Sequence, residues 1–336
     1  MTEDAAAVSR RVLSRMRINP RFGNAGDVEN LLYQAKDPNK FTIEPGDIDP
    51  DWDRPLRADE SRAKLFEGFV GFNKIIERFE GYKHLVDGLR LHDIDSRPHI
   101  PWAFILKGPP GTGKTPTAQK VGRLYRNMGL LSTEEVVTCA VSDFVGQWVG
   151  HTGPKVIKTL ETGLGKVLFI DEAYRFANDY SPGSSDYHAD AIGELVDAMS
   201  QLRYKNNMVV ILAGYTAEME SLLQMNPGLR SRFPEQIVFQ PMGSRACLQH
   251  LESEIQKLNI SIVGLEDTDK EKSKTVHRLF KKLGRTGGWA NSRDVETLAK
   301  TIIGNVYMLQ GLENKKKAMG SLQVTVDEVI EVQKGC

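Results

Sequence analysis

Cysteine is scarce: Cys139, Cys247 and Cys336 are the only three in 336 residues, and they lie far apart. That spacing fits neither a disulfide framework nor a zinc site, so a reducing compartment, cytosol or nucleus, is expected. No apolar run approaches the roughly 20 residues of a membrane-spanning helix. The opening Met1-Thr2-Glu3-Asp4 is acidic with no apolar stretch behind it, which does not read as a secretory signal. An excess of one charge is also missing, since 44 Lys+Arg face 44 Asp+Glu. No global field therefore draws the chain to nucleic acid or to an anionic membrane. The seven histidines share no ligand spacing, so no histidine metal site is expected. What remains is an ordinary globular composition, 40% hydrophobic and 26% charged, long enough for one large or two ordinary domains.

The most informative stretch is Gly108-Pro109-Pro110-Gly111-Thr112-Gly113-Lys114-Thr115. It follows the apolar Ala103-Phe104-Ile105-Leu106 and precedes a helix-like segment from Thr117. A glycine-rich turn between strand and helix points backbone N–H groups inward, where they cradle nucleotide phosphates. The helix N-terminus adds a positive dipole end. Lys114 is placed to reach the β- and γ-phosphates, and the Thr115 hydroxyl to hold Mg²⁺. Pro116 is compatible with the helix, because the first turn has no intrahelical N–H bond to lose.

A repeat is concealed in the chain. Phe22-Gly23-Asn24-Ala25-Gly26-Asp27-Val28-Glu29-Asn30-Leu31 matches Trp289-Ala290-Asn291-Ser292-Arg293-Asp294-Val295-Glu296-Thr297-Leu298 at half of its positions, 267 residues later. In each copy Asn reads as an N-cap with Asp at the third helical position. A basic amphipathic helix precedes both, over 11–17 and 277–284. Repeats at this period imply tandem domains. Residues 1–36 are therefore expected to be the end of an upstream module. Residues 37–64, where Glu44, Asp47, Asp49, Asp51 and Asp53 interleave with Pro45, Pro50 and Pro55, read as a linker without regular structure.

From residue 65 to 243, helices near 72–92, 115–128, 154–163, 187–203 and 216–224 alternate with strands near 102–107, 136–140, 166–171, 208–213 and 236–239. That alternation predicts a three-layer α/β domain on a five-stranded parallel sheet. After Met242 the strands are expected to stop. Helices near 244–258, 270–283 and 292–311 form a small helical domain over 244–336.

Val167-Leu168-Phe169-Ile170-Asp171-Glu172 is a second nucleotide signature. A buried strand delivers two carboxylates at its C-terminal end, where ligands bind in open α/β sheets. Asp171 is expected to orient Mg²⁺ through water and Glu172 to polarise the attacking water, as in additional-strand ATPases.

These motifs together resemble the AAA+ family, and within it the CbbX/CfxQ branch with its SpoVK-like relatives. The likeness extends to Gly146-Gln147-Trp148-Val149-Gly150, Asp171-Glu172-Ala173-Tyr174, Ile211-Leu212-Ala213-Gly214-Tyr215 and Asn226-Pro227-Gly228-Leu229-Arg230-Ser231-Arg232-Phe233. It covers roughly residues 65–335. The resemblance implies a P-loop domain with a helical lid that binds ATP through Pro109, Pro110, Gly111, Thr112, Gly113, Lys114 and Thr115, with Mg²⁺ at Thr115 and Asp171. Glu172 is then catalytic. Arg232, with Arg230 second, resembles the arginine finger supplied to an adjacent subunit, a device contributing roughly 10³–10⁵ in rate. Arg293 resembles the lid arginine that reads the γ-phosphate in cis. Trp148 and Val149 resemble a pore loop that grips an extended client by stacking and burial, whereas Phe144 reads as core. The segment 177–188 reads equally as a second pore loop or a surface loop.

Two departures stand out. Tyr215 occupies the position where many AAA+ proteins carry a polar sensor-1 Asn, which leaves Tyr215 and Thr216 both as candidates. Gly26 stands where the downstream copy has Arg293, so the upstream module is expected to lack that sensor. The resemblance implies a hexameric ring acting on a protein client. A nucleic-acid-linked motor or loader, and an ATP-holding scaffold with little hydrolysis, are the rival readings. The neutral charge argues against the first, and intact Glu172 and Arg232 against the second.

Overall fold

The computed structural model describes residues 1–17, 22–37, 40–50, 52–53, 73–92, 94–146, 148, 150–177, 185–264, 270–312 and 322–335. Two compact units emerge. The first comprises residues 1–67, 75–107 and 114–238; the second comprises 68–74, 108–113 and 239–336.

The first unit opens with helices α1 (Glu3–Met16), α2 (Ala25–Gln34) and α3 (Pro45–Ile48). Thr2 caps α1, its Oγ1 accepting the Ala5 N–H at 3.1 Å. Val8, Ala35 and Ile48 form a small buried cluster, with Val12, Leu31, Ile43 and Trp52 packed against it. This corrects the expectation of an unstructured linker over 37–64, because its described part folds back onto α1 and α2. The acidic run permits this because its charges are answered. Lys40 pairs with Asp47 at 2.8 Å and Arg15 with Asp49 at 2.8 Å. Asp47 accepts the Glu44 N–H at 2.8 Å while Pro45 takes the first helical position, a capping arrangement that starts a helix. Residues 54–64 lie outside the described residues.

The α/β body follows: α4 (Asn73–Arg90), β1 (Ala103–Lys107), α5 (Lys114–Asn127), β2 (Val136–Cys139), α6 (Thr152–Gly163), β3 (Val167–Ile170), α7 (Ser185–Ala198), β4 (Val209–Gly214), α8 (Thr216–Met225), α9 (Pro227–Arg232) and β5 (Glu235–Val238). The five strands form one parallel sheet in the order β2-β3-β4-β1-β5. β1, β3 and β4 are buried throughout, as strands covered on both faces must be. Ile105, Leu168, Ile170, Val210 and Leu212 pack with Val156 and Leu160 of α6, Leu195 of α7 and Met219 and Leu222 of α8. The alternate residue Phe104 faces the other side, meeting Phe79 of α4 at 5.8 Å and Tyr125 of α5 at 6.2 Å between ring centroids. The expected three-layer α/β fold with a five-stranded parallel sheet is thus observed.

The second unit contains α10 (Ser244–Gln256), β6 (Ile260–Val263), α11 (Lys270–Leu283), α12 (Ser292–Leu312), β7 (Leu322–Thr325) and α13 (Val326–Gly335). Its core joins Leu251 and Ile255 to Val276, Phe280, Val295 and Val329. The strands do not stop after Met242: β6 and β7 pair in parallel, with Ile260 opposite Leu322 and Ile262 opposite Val324. Each is four residues long, too short to leave a periodic signal among helices, and the pairing bridges 58 intervening residues. The helical portion is otherwise as expected.

Candidate nucleotide site

In the first unit, the sheet order places β4 between β1 and β3. Three chain segments leave the C-terminal ends of these neighbouring strands. α5 begins at Lys114, so Lys114 and the exposed Thr115 stand in its first turn. Asp171 and Glu172 follow β3, and Tyr215 follows β4, directly ahead of Thr216 at the start of α8. The Lys114 Nζ lies 5.8 Å from the centroid of the Tyr215 ring, within cation–π reach. Tyr215 in turn stacks on Tyr174, with centroids 5.5 Å apart and planes inclined by 23°. Gly214 makes this stacking possible, because a Cβ there would lie 2.8 Å from the Tyr174 ring. Burial first, then the charge of Glu172, pushes the Tyr174 phenol above its ordinary value.

Glu172 adopts φ 51°, ψ 37°, the left-handed region, at the entrance to the short 3₁₀ turn Ala173–Phe176. For a residue other than glycine this costs roughly 1–2 kcal/mol and marks strain held by its surroundings. Its N–H donates to Asp171 Oδ1 at 2.9 Å, and its Oε2 pairs with Arg175 Nη2 at 2.5 Å. Both partners of that pair are substantially exposed, so it is readily exchanged for another partner.

The two candidate finger arginines, Arg230 and Arg232, lie on α9. Arg230 meets Glu220 at 3.4 Å. Arg232 donates from Nε to Ser200 Oγ at 2.8 Å and borders a cavity of about 610 Å³ with Trp102, Met199 and Tyr204. Trp148 is 68% exposed, whereas Phe144 is fully buried against Phe176. The loop carrying Trp148 has a fixed base: Lys155 Nζ donates to the carbonyls of Ser142 and Val145 at 2.7 and 2.8 Å. Val149 and residues 178–184 lie outside the described residues.

The turn Gly108–Gly113 belongs to the second unit, and there it meets the segment that opens α12. Thr112 Oγ1 donates to Pro109 O at 2.8 Å and closes the turn. Asn291, 1% exposed, donates from Nδ2 to Pro110 O at 2.9 Å and accepts the Met242 N–H on Oδ1 at 2.8 Å. The Ser292 N–H donates to Gly111 O at 3.0 Å. Gly111 has φ 64°, and a Cβ there would collide with the Ala290 carbonyl oxygen. Arg293 is exposed in the first turn of α12.

Sequence reasoning took Asn291 for a helix cap and missed its grip on the phosphate loop. The only sequence signal for that grip was the repeated Asn-x-x-Asp. The Tyr174–Tyr215 stack was also missed, although Gly214 before Tyr215 hinted at close packing.

A phosphate-type loop, a carboxylate pair and a strand inserted between those that bear them define a P-loop nucleotide-binding protein of the additional-strand class. Residues 104–241 match the ATPase family associated with various cellular activities (AAA). Among curated proteins, Stage V sporulation protein K of Bacillus subtilis is 42% identical over 136 residues, 40% of this chain and 41% of that protein. Protein CfxQ of Xanthobacter flavus is 38% identical over 185 residues, 54% of this chain and 56% of that protein. A CfxQ homolog of Pyropia yezoensis is 32% identical over 251 residues, 74% of this chain and 78% of that protein. The chain thus spans about half the length of the first two. The chain belongs to the CbbX/CfxQ branch of the AAA+ ATPases. Nucleotide binding comes with that membership. No helix among the described residues is long and apolar enough to cross a membrane.

Proposed function

We propose that the chain binds and hydrolyses ATP and uses the energy to remodel a protein client as a subunit of a hexameric ring. The observation that carries this reading is the order of the adjacent strands β1, β4 and β3, which lead at their C-terminal ends into the glycine-rich turn before Lys114, into Tyr215 and into Asp171–Glu172. Backbone N–H groups of Pro110–Gly113, other than that of proline, would take the phosphates, and Lys114 the β- and γ-oxygens. The conformation fits this role, since Gly111 and Gly113 hold φ of 64° and 89°, leaving backbone unshielded by side chains. The donor set also suits Mg²⁺, with the exposed Thr115 hydroxyl as ligand and Asp171 acting through water. A bound Mg²⁺ would supply charge neutralisation at the phosphates.

Within this reading Glu172 polarises the attacking water after releasing Arg175. Tyr215, with Thr216 beside it, senses the γ-phosphate, and Arg293 reads it from the lid of the same subunit. Arg232, with Arg230 second, enters the site of a neighbouring subunit. Trp148 and Val149 grip the client at the pore, and the exposure of Trp148 supports that role. The intracellular placement expected from the three scattered cysteines belongs to the same proposal.

ATP turnover measured against protein concentration tests the assembly. Arg232→Ala should abolish turnover and leave binding of a fluorescent ATP analogue intact. Full specific activity in a dilute, strictly monomeric sample would refute the trans mechanism. A Glu172→Gln pull-down should hold the client in the ATP-bound state.

A further inference from the structure

The turn at residues 22–27 repeats the turn at 289–294 in backbone geometry as well as in sequence. Asn24 and Asn291 have φ of 51° and 53°. Asp27 Oδ2 accepts the Gly23 N–H at 2.6 Å, and Asp294 Oδ2 accepts the Ala290 N–H at 2.6 Å. Gly26 N–H donates to Gly23 O and Arg293 N–H to Ala290 O, both at 3.2 Å. The copies continue on either side. α3 begins with Asp47 accepting the Glu44 N–H at 2.8 Å, as α13 begins with Glu328 accepting the Thr325 N–H at 2.7 Å. Ile48 and Val329, the fifth residues counted from those N-caps, are both buried. The likeness therefore extends to Ile48, past the boundary at 36 that the sequence suggested.

The two copies differ in what they hold. Asn291 is buried and clasps Pro110 O of the phosphate loop. Asn24 is exposed, makes no side-chain cap bond, and has ψ −109°, a conformation unusual for any residue but glycine. Such backbone persists only where its surroundings hold it. In a second copy of this chain, Pro110 O and Gly111 O are already engaged by Asn291 and Ser292, so a second copy is not the occupant.

We propose that residues 22–27 clasp the glycine-rich phosphate loop of another α/β nucleotide-binding module, placed N-terminal to them on the same polypeptide. This rests on the reading of residues 108–115 as a nucleotide loop. Because Gly26 replaces Arg293, the nucleotide of that module receives no lid arginine from this turn. A Cβ at Gly26 would meet nothing within 4 Å, so an arginine would fit there.

A graft into the full chain tests the clasp. Trp289→Phe, Ala290→Gly, Ser292→Ala and Arg293→Gly together convert the later turn into the earlier one and retain Asn291 and Asp294. Thermal melting should match that of Arg293→Gly alone to within about 3 °C. Affinity for fluorescent ADP should match it to within about two-fold. A graft that melts as low as Asn291→Ala, or binds about ten-fold more weakly than Arg293→Gly, overturns the clasp. Absence of nucleotide binding by the wild type would instead refute the proposed function, and the melting comparison would still decide this inference. Sequencing the complete transcript tests the occupant. Gly108 precedes Asn291 by 183 residues, and an in-frame Gly-x-x-x-x-Gly-Lys-Ser/Thr is expected at a similar distance before Asn24. An in-frame stop with no such loop overturns the proposal.

Discussion

Asn291 concentrates more of the second unit's organisation in one side chain than any cap would. Replacement by alanine deletes two hydrogen bonds, to Pro110 O at 2.9 Å and from Met242 N at 2.8 Å. Each such bond contributes about 1 kcal/mol net, and more when its abandoned partner stays shielded from water. Alanine must also hold φ 53°, which adds about 1 kcal/mol that asparagine largely avoids. The expected loss is about 2–4 kcal/mol for Asn291→Ala, a large share of the 5–15 kcal/mol typical of a domain. Asn291→Gly loses the same bonds but takes positive φ freely, so it should be milder by about 1 kcal/mol. Asn291→Asp keeps the acceptor for Met242 but sets a buried carboxylate against the Pro110 carbonyl, and should be the worst at neutral pH. Scanning calorimetry gives the ranking directly. A loss of about 4–8 °C per kcal/mol in a unit of this size puts Asn291→Ala at least about 8 °C low. A shift under about 2 °C, or glycine no milder than alanine, would refute the argument.

Trp148 is 68% exposed, so Trp148→Ala should leave stability within about 0.5 kcal/mol while lowering client-stimulated turnover; a clear drop in melting temperature would show a packing role instead. Burial pushes the thiols of Cys139 and Cys247 up to about 11. In Cys336→Ser protein neither should react with Ellman's reagent at pH 8 until denaturant is added, and fast labelling of the native protein would contradict this. The Lys107 ammonium holds the Glu220 carboxyl below its ordinary value of 4.5, and Arg203 does the same for Glu161. Carboxyls depressed in the folded state contribute stability that is present above their unfolded value and lost as pH falls through the folded one. Melting temperature should therefore fall with pH below 4.5, and Lys107→Met should flatten part of that fall. A melting curve unchanged down to about pH 3 would exclude it.

The α/β body was legible because its signals are local and strong. The central strands, such as Val167–Ile170 and Val209–Gly214, are continuous apolar runs, as strands covered on both faces require, and the helices between the strands carry a 3.6-residue period. The phosphate loop announced itself by residue type at fixed spacing, and the carboxylate pair by its place at a strand end. What the residues alone could not show was the strand order. That Tyr215 stands between Lys114 and Asp171 follows from β4 lying between β1 and β3, a long-range pairing that no local pattern encodes.

The same reasoning explains the misread linker and the missed β6–β7 pair. Proline and acid clusters predict irregular chain when their charges are left to water, but Arg15 and Lys40 lie 34 and 7 residues from the acids they neutralise. Ile43, Ile48 and Trp52 then have a surface to bury against. β6 likewise becomes a strand only because residues 322–325 arrive beside it. Its β-branched residues fit a pleated surface, yet four residues carry too little period to be separated from a loop. Asn291 is the sharpest case. An asparagine before a helix is a common cap, and only the fold shows its amide turned onto Pro110. The twin at Asn24 has a positive φ like that of Asn291 and the same acidic brace. Under the clasp proposed above, the difference between the two lies in the phosphate loop each has to hold and not in the turn.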